Sequence, residues 1–401
     1  MANNVSASFP EYWSRRMQRK HYKTDRYREI VSMEEEATLE RGDTVHRPSR
    51  SNLVVNDLSS DGAYSRQEVT DTDQSLVINK EKEVSFYIRK IDEMQSNYPT
   101  ANRYADDAAV KLGNTIDGEV LGQFSAATSD VDDGDIGGTD ENGITLTTSN
   151  IDKIFGEANE ALDALDIDMD DRWAMISPQF YNVLWQRIGG RESMLGDEAG
   201  RDGVRGRSGY WGGFRLIRTN ALAWTGDLLI GTTPTDGDTV VINGVTFTFE
   251  TGSIDAAGKV KAETSGAVSA GYLVSAINAP GTTSATFQAL STANQNLLKG
   301  ISAAAISGGL RVTALGYSYI AVSETLTAAA DIWTLAKQIQ HNLFGQGKPI
   351  DLVIQKRPNM LIKERDGYIG KDVVSWTVFG LKTFSEGADQ LVDVGIRSDA
   401  F

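Results

Sequence analysis

The strongest constraint on the fold is a row of apolar residues four apart, Tyr104, Ala108, Leu112, Ile116, Val120 and Phe124, with Ala101, Ala105 and Ala109 beside them. That spacing lines one face of an α-helix. A helix from Pro99 to about Phe124 would be roughly 40 Å long at 1.5 Å per residue, more than a small compact domain needs, so it is expected to act as a spine. At 401 residues the chain also has room for two or three regions that each bury a core.

Ahead of the spine the pattern differs. Residues 1–30 are locally basic, and Ser8 with Glu11 has capping-box spacing, so a short helix is expected to carry Trp13 and Met17 on one face among Arg15, Arg16 and Arg19. Such an arm would either pack on a neighbouring molecule or touch nucleic acid. Next, Ser51–Asn56, Tyr64–Thr70 and Leu76–Ile91 alternate or run β-branched, and the polar stretch Asp57–Gly62 supplies turn chemistry, which together predict a long hairpin. Its residues Leu53, Val54, Val55, Leu58, Tyr64, Arg66 and Val69 are too few to bury two faces, so it must project into solvent or lie on another subunit. Val84, Phe86 and Ile88 then alternate as a strand entering a core.

Beyond the spine, Asp130–Asn142 is an acidic, Gly-rich loop. Ile151, Ile154, Phe155, Ala158, Leu162 and Leu165 form a second helical stripe. A strand at Trp173–Ile176 leads through Ser177-Pro178 into a helix whose buried side is expected to hold Phe180, Leu184 and Ile188, with Tyr181 and Trp185. A Gly- and Arg-rich loop, Gly189–Gly213, precedes the strand Phe214–Thr219. From Thr232 to about Thr327 the composition shifts to Gly, Ala, Ser and Thr. Here Asn243-Gly244 marks a hairpin between Asp238–Ile242 and Val245–Glu250, and Leu310–Thr313 and Tyr317–Ser323 supply two closing strands. The earlier pattern then resumes with an expected helix over Ile332, Leu335, Ala336, Ile339 and Leu343, and strands at Ile350–Gln355, Val373–Phe379 and Leu391–Val394. A return of this kind is what domain insertion at a loop tip produces.

Chemistry-bearing patterns are scarce. There is no cysteine, so disulfides, thiolate metal sites and cysteine nucleophiles are excluded, and His21, His46 and His341 are the only imidazoles. Gly345-Gln346-Gly347-Lys348-Pro349 lacks the P-loop's first glycine and its Ser or Thr, and reads as a turn. No G-x-S-x-G elbow occurs, and no helical pair of histidines four apart. The carboxylates of Asp130–Glu141 miss the EF-hand spacing and are expected to be solvated, as are Asp163, Asp166, Asp168, Asp170 and Asp171. Arg201, Arg205, Arg207, Arg215 and Arg218 lack the interleaved aromatics of a base-stacking surface and read as a loop meeting acidic neighbours around a symmetry axis. A net charge of -16 opposes non-specific grip on DNA, though an acidic wall can enclose it. The first ten residues lack a secretory pattern and no apolar run reaches spanning length, so synthesis in a cytoplasm and no membrane are expected.

The order of these pieces resembles the Hong Kong 97-like major capsid proteins of tailed double-stranded DNA bacteriophages. Leu76-Val77-Ile78-Asn79 and Phe86-Tyr87-Ile88-Arg89-Lys90-Ile91-Asp92 resemble the family's entry into its spine helix, and Ala105–Ile116 with Asp117 resembles that helix. Trp173-Ala174-Met175-Ile176-Ser177-Pro178-Gln179-Phe180-Tyr181 resembles its strand, Ser-Pro, helix passage, and Gly213-Phe214-Arg215-Leu216-Ile217-Arg218-Thr219-Asn220 its later Gly-Phe strand. Asn342-Leu343-Phe344-Gly345, Gly380-Leu381-Lys382-Thr383-Phe384 and Gly387-Ala388-Asp389 are similar to closing segments of one branch. The order, over about three quarters of the chain, carries the resemblance; the inserted segment departs from the family's minimal pattern.

The resemblance implies an α+β capsid fold: N-terminal arm (1–41), extended hairpin or E-loop with first peripheral strands (42–92), peripheral domain with spine helix (93–147), axial domain (148–231), an inserted β-rich domain (232–328), an axial return (329–357) and a peripheral sheet (358–401). It implies hexamers and pentamers of one chain building an icosahedral shell around DNA in the virion, assembled in the host cytoplasm without sequence-specific binding. It further implies no catalysis, cofactor or metal. A portal, a separate scaffolding protein (no scaffold-length extension precedes the hairpin) and a cementing protein are the implied partners. Arg201, Arg205 and Arg207 would face capsomer centres. Some relatives cross-link a hairpin lysine to a neighbour's asparagine; no lysine lies between Arg50 and Asn79 here, so this shell is expected to be non-covalent. An encapsulin-like nanocompartment shares the fold, and a phage tail or adhesion protein is the rival suggested by the Gly-, Ser- and Thr-rich segment.

Overall fold

The computed structural model describes residues 23–34, 43–51, 53–58, 60, 62, 64, 66–91, 100–189, 209–317, 319–328, 330–364 and 367–398. A 3-10 turn, Tyr27–Glu29, leads into β1 (Val31–Ser32). β2 (Thr44–Ser49) and β3 (Thr72–Val77) form an antiparallel pair, and β4 (Lys80–Arg89) follows. The single strand expected over Leu76–Ile91 is therefore two. Ile78 and Asn79 break it, so that β3 pairs with β2 while β4 joins another sheet. The spine is α1 (Thr100–Leu121), prolonged by a 3-10 turn, Gly122–Ala126. Ala108, Leu112, Ile116 and Val120 are buried along it, as their spacing required, while Tyr104 is half exposed.

After β5 (Ser129–Val131) come α2 (Ile151–Ala164), β6 (Arg172–Ile176), α3 (Pro178–Gly189), β7 (Tyr210–Trp211), β8 (Phe214–Arg218) and β9 (Ala223–Leu229). Ser177 caps α3 by accepting from the Phe180 amide, the Ser-Pro entry foreseen in the sequence. Phe180 and Leu184 are buried, but Trp185 turns outward.

The Gly- and Ser-rich segment holds β10 (Thr239–Ile242), β11 (Val245–Glu250), β12 (Lys259–Lys261), α4 (Gly266–Asn278), α5 (Thr292–Leu297), β13 (Ile301–Ile306), β14 (Gly309–Ala314) and β15 (Val322–Glu324). Asn243 (φ 49°) and Gly244 (φ 79°) make the left-handed turn that joins β10 to β11. The segment forms a four-stranded sheet of its own, β12-β11-β10-β15, yet it is tied into the rest of the chain. It contains two helices, and β14 is hydrogen-bonded along β9, so the β13–β14 hairpin extends the main sheet. Its core also takes in Trp224, Leu228, Ile230 and Trp333 from outside the segment.

The chain closes with β16 (Ile339–Gln346), β17 (Ile350–Glu364), β18 (Gly370–Thr383), α6 (Ser385–Asp389) and β19 (Leu391–Arg397). The helix expected over Ile332–Leu343 is only a 3-10 turn, Leu335–Lys337, before β16. β16 pairs with β19 along one edge, and its other edge is shared end to end by β9 and β6. Its two faces feed two cores, Leu343 toward α1 and Phe344 toward α2 and α3. A strand covered on both faces loses the period of two that marks a strand in sequence.

Two further sheets join segments that are distant in the chain. A nine-stranded sheet contains β5, β6, β7, β8, β9, β13, β14, β16 and β19; a four-stranded sheet runs β1-β17-β18-β4. β17 enters the smaller sheet at Ile350, before residue 358, and β19 returns to the larger one, so 358–401 is divided between two sheets.

Candidate assembly surfaces

The base of the extended hairpin is fixed. Leu76 is buried with Val353 and Phe384, and Val45 and Ile78 pack against them. Arg47 donates two hydrogen bonds to the Asp351 carboxylate, at 2.8 and 3.2 Å, and its guanidinium lies 4.3 Å from the Phe384 ring. Gln74 and Ser385 exchange two more, and Lys382 donates to the Ser75 carbonyl at 2.8 Å. Gly380 allows this approach: a Cβ there would stand 2.5 Å from the Val77 carbonyl oxygen.

Among the described residues the backbone ladder ends at Ser49 and Thr72, short of the strands expected at Ser51–Asn56 and Tyr64–Thr70. Side chains hold the arms together instead. Gln67 accepts from the Val54 amide at 2.9 Å and donates to the Val54 carbonyl, and Ser51 accepts from the Thr70 amide at 3.3 Å. Leu53, Val54, Val55, Leu58, Tyr64, Arg66 and Val69 are all exposed, Val55 at 97% and Leu53 at 72%. Arg66 lies 5.9 Å from the Tyr64 ring. The arm thus carries a run of solvated apolar side chains.

A second exposed apolar surface escaped the sequence reading. β17 runs nine residues past Gln355 and pairs with β18 to its end. At the far end of this blade Met360, Leu361, Ile362, Tyr368 and Ile369 are exposed. Lys80 and Lys82, at the start of β4, both reach Glu119 on the spine, at 2.6 and 3.0 Å. Burial opposes the charge on Glu119, but the two ammonium groups outweigh it and hold its carboxyl below the usual range.

Elsewhere charged groups work inside the chain. Arg215 pairs with Glu29 at 2.8 Å and Arg218 lies 4.9 Å from the Tyr181 ring, so neither belongs with the loop cations. Arg201, Arg205 and Arg207, like Trp13, Arg15, Arg16, Met17 and Arg19, lie outside the described residues. In the acidic loop, Asp132 accepts from the Gly134 and Glu141 amides, Asp133 from Thr139 and Asp135 from Asp132, so these carboxylates shape the turn rather than simply meet solvent. Asp163 departs from expectation too: it binds Arg172 at 2.5 Å. His341 sits 2.6 Å from Asp393 and 2.8 Å from Thr225, stacked on Phe124. Thr225 and His341 are buried within the sheet, so this row stitches β9, β16 and β19 to the spine's end instead of offering a nucleophile.

No family model matches the chain, and no curated protein matches it. Solved structures match it from end to end. One from Mycobacterium phage Che8 aligns over 98% of each chain with a TM-score of 0.59 and 13% identity. The capsid of cyanophage P-SCSP1u aligns over 100% of this chain and 96% of its own, with a TM-score of 0.57 and 12% identity. This chain has a phage capsid fold. The head of Helicobacter pylori bacteriophage KHP40 is similar over 99% of this chain and 98% of its own, at a TM-score of 0.55 and 9% identity.

Proposed function

We propose that this chain is the major capsid protein of a tailed double-stranded DNA phage, of the Hong Kong 97-like type, and that it acts without catalysis. Copies meet as hexamers and pentamers in an icosahedral shell that encloses the genome by geometry and not by sequence-specific contact. The observation that carries the reading is the pairing of an end-to-end capsid fold with a hairpin whose base is locked and whose apolar tip is bare. A bare tip on a rigid base stabilises nothing in its own subunit, and burying it on a neighbour supplies association energy. The Met360–Ile362 end of the blade offers a further contact of the same kind. Scaffold, portal and cementing proteins are the partners the family resemblance suggests.

The joint is proposed to be non-covalent. Lys80 and Lys82 are the first lysines after the hairpin along the chain, and Glu119 of their own spine engages both. The test of the tip is its removal. A chain lacking Asn56 to Thr70 is expected to stay soluble and folded, since the partners those residues have, Ser51 and Val54, belong to the same arm, but to sediment as small species. Shells at native yield from that deletion would refute the assignment.

A further inference from the structure

The spine helix carries a device that the shell reading does not use. The segment Lys23–Ile30 lies across it, in a groove opened by glycines. A Cβ at Gly113 would collide with the Asp25 carboxylate, and one at Gly118 would come within 3.0 Å of the Gly316 backbone. One at Gly122 would lie 2.7 Å from the Leu315 side chain. The groove therefore receives two pieces of chain side by side: the N-terminal segment, and the turn after β14. They also hold each other, because Lys23 donates to the Gly316 carbonyl and its ammonium lies 5.6 Å from the Tyr317 ring.

Asp117 lies fully buried at the centre. Its Oδ1 accepts from the backbone amides of Arg26 at 3.0 Å and Tyr27 at 2.8 Å, while its Oδ2 is buried with no hydrogen-bond partner among the described residues. One turn earlier, Asn114 faces the same segment, and with its amide turned to match the donors and acceptors around it the nitrogen donates to Asp25 Oδ1 at 2.8 Å and to the Lys23 carbonyl at 3.0 Å. Tyr27, Ile30 and Val31 follow into the core beneath the helix.

We propose that Lys23–Ile30 is a strap latched onto the spine helix and clasped by the turn at Gly316, and that the protonation state of Asp117 sets how tightly it closes. A lone buried carboxylate oxygen is costly when charged and is satisfied by a proton. Burial, with the charge of Asp25 adding to it, pushes the Asp117 carboxyl up to about 6, against the opposing effects of the two amides and Lys23. Burial raises Asp25 as well, and Arg28 opposes it. The other charged groups on elements packed here have partners of their own: Glu29 has Arg26 and Arg215, and Glu119 has Lys80 and Lys82. Lys23 is pulled below its ordinary value by burial, chiefly.

The sign follows from the raised carboxyl. When the strap is docked, Asp117 binds its proton more tightly than when it is free, so docking is favoured in acid and weakens as pH rises through about 6. The latch closes in acid and loosens toward neutrality. Amide hydrogen exchange on the full chain, corrected for intrinsic rates, reads it directly. Protection of the Arg26 and Tyr27 amides is expected to fall roughly thirtyfold between pH 4.5 and 8, as a shift of about two pH units requires. Asp117→Asn keeps an acceptor but removes the titration, and should flatten the profile. Asp117→Ala removes the acceptor and should expose both amides at every pH, with the β16 amides still protected. A flat profile in the native chain would overturn the proposal, as would an unchanged slope in D117N or native-like protection in D117A; the native profile decides alone if either variant fails to fold.

Discussion

At the scale of single residues, the strongest internal commitment is Arg172. Its side chain is 1% exposed, and its guanidinium donates to Asn159, Asp163 and the carbonyls of Ile167 and Asp168. Those carbonyls end the α2 turn, where Asp166 adopts φ 58°. Removing the fork takes the donor from four acceptors on half-buried or exposed residues, each a net loss of about 0.5–1.5 kcal/mol. Arg172→Ala should therefore lose at least about 2 kcal/mol in chemical denaturation, and Arg172→Lys a large part of that, because an ammonium lacks the planar fork. A loss below about 1 kcal/mol for Ala would show the network to be idle. The sequence offered no pattern for this arginine, since its partners come from a helix end and a loop. Glu119 makes a pH prediction of opposite sign to Asp117. Its depressed carboxyl contributes stability above the ordinary glutamate range, which is lost as pH falls through the docked value. Glu119→Gln should remove that acid-side loss from a pH series of melting curves, and an unchanged series would contradict the pairing.

At the scale of elements, legibility followed how many faces an element buries. α1 and α2 bury one face each, so their stripes stood out. β16 buries both and was taken for a helix; Ile339 and Leu343 match a helical spacing only because every position from Gln340 to Gly345 is buried. The outer half of β17 was missed because Lys356-Arg357-Pro358 reads as a break. The structure places register shifts at that point, between Ile354 and Asn359, where a proline is tolerated. The segment from 232 to 328 looked separable by composition, yet its hairpin completes the main sheet. Replacing Thr235 to Leu326 with a Gly-Ser linker strips β14 from β9 and uncovers Trp224, Leu228, Ile230 and Trp333. At about 1.5–3 kcal/mol for each large side chain, the loss rivals the whole stability of a domain. Insoluble or molten protein is expected. A cooperative melt near the native temperature would mean the segment is a module after all.

At the scale of the whole molecule, order along the chain was legible before any coordinate, since spine, Ser-Pro helix and closing strands fell in the expected sequence. The residues proposed for assembly were legible only in part. Leu53, Val54, Val55 and Val69 announced themselves as apolar residues with nothing to cover them, whereas the Met360–Ile362 tip needed the β17–β18 pairing to be seen. The proposed shell has no covalent staple, so boiling particles in detergent should release one band near the 43.6 kDa chain mass. A ladder of oligomers would contradict that. The central claim is that these surfaces close a shell, and imaging the assembled full-length chain by electron cryomicroscopy tests it most directly. The account predicts closed polyhedral particles with each hairpin tip, Leu53 to Val69, buried on a neighbouring subunit; tubes, fibres or dispersed monomers, or tips left free in solvent, would contradict it.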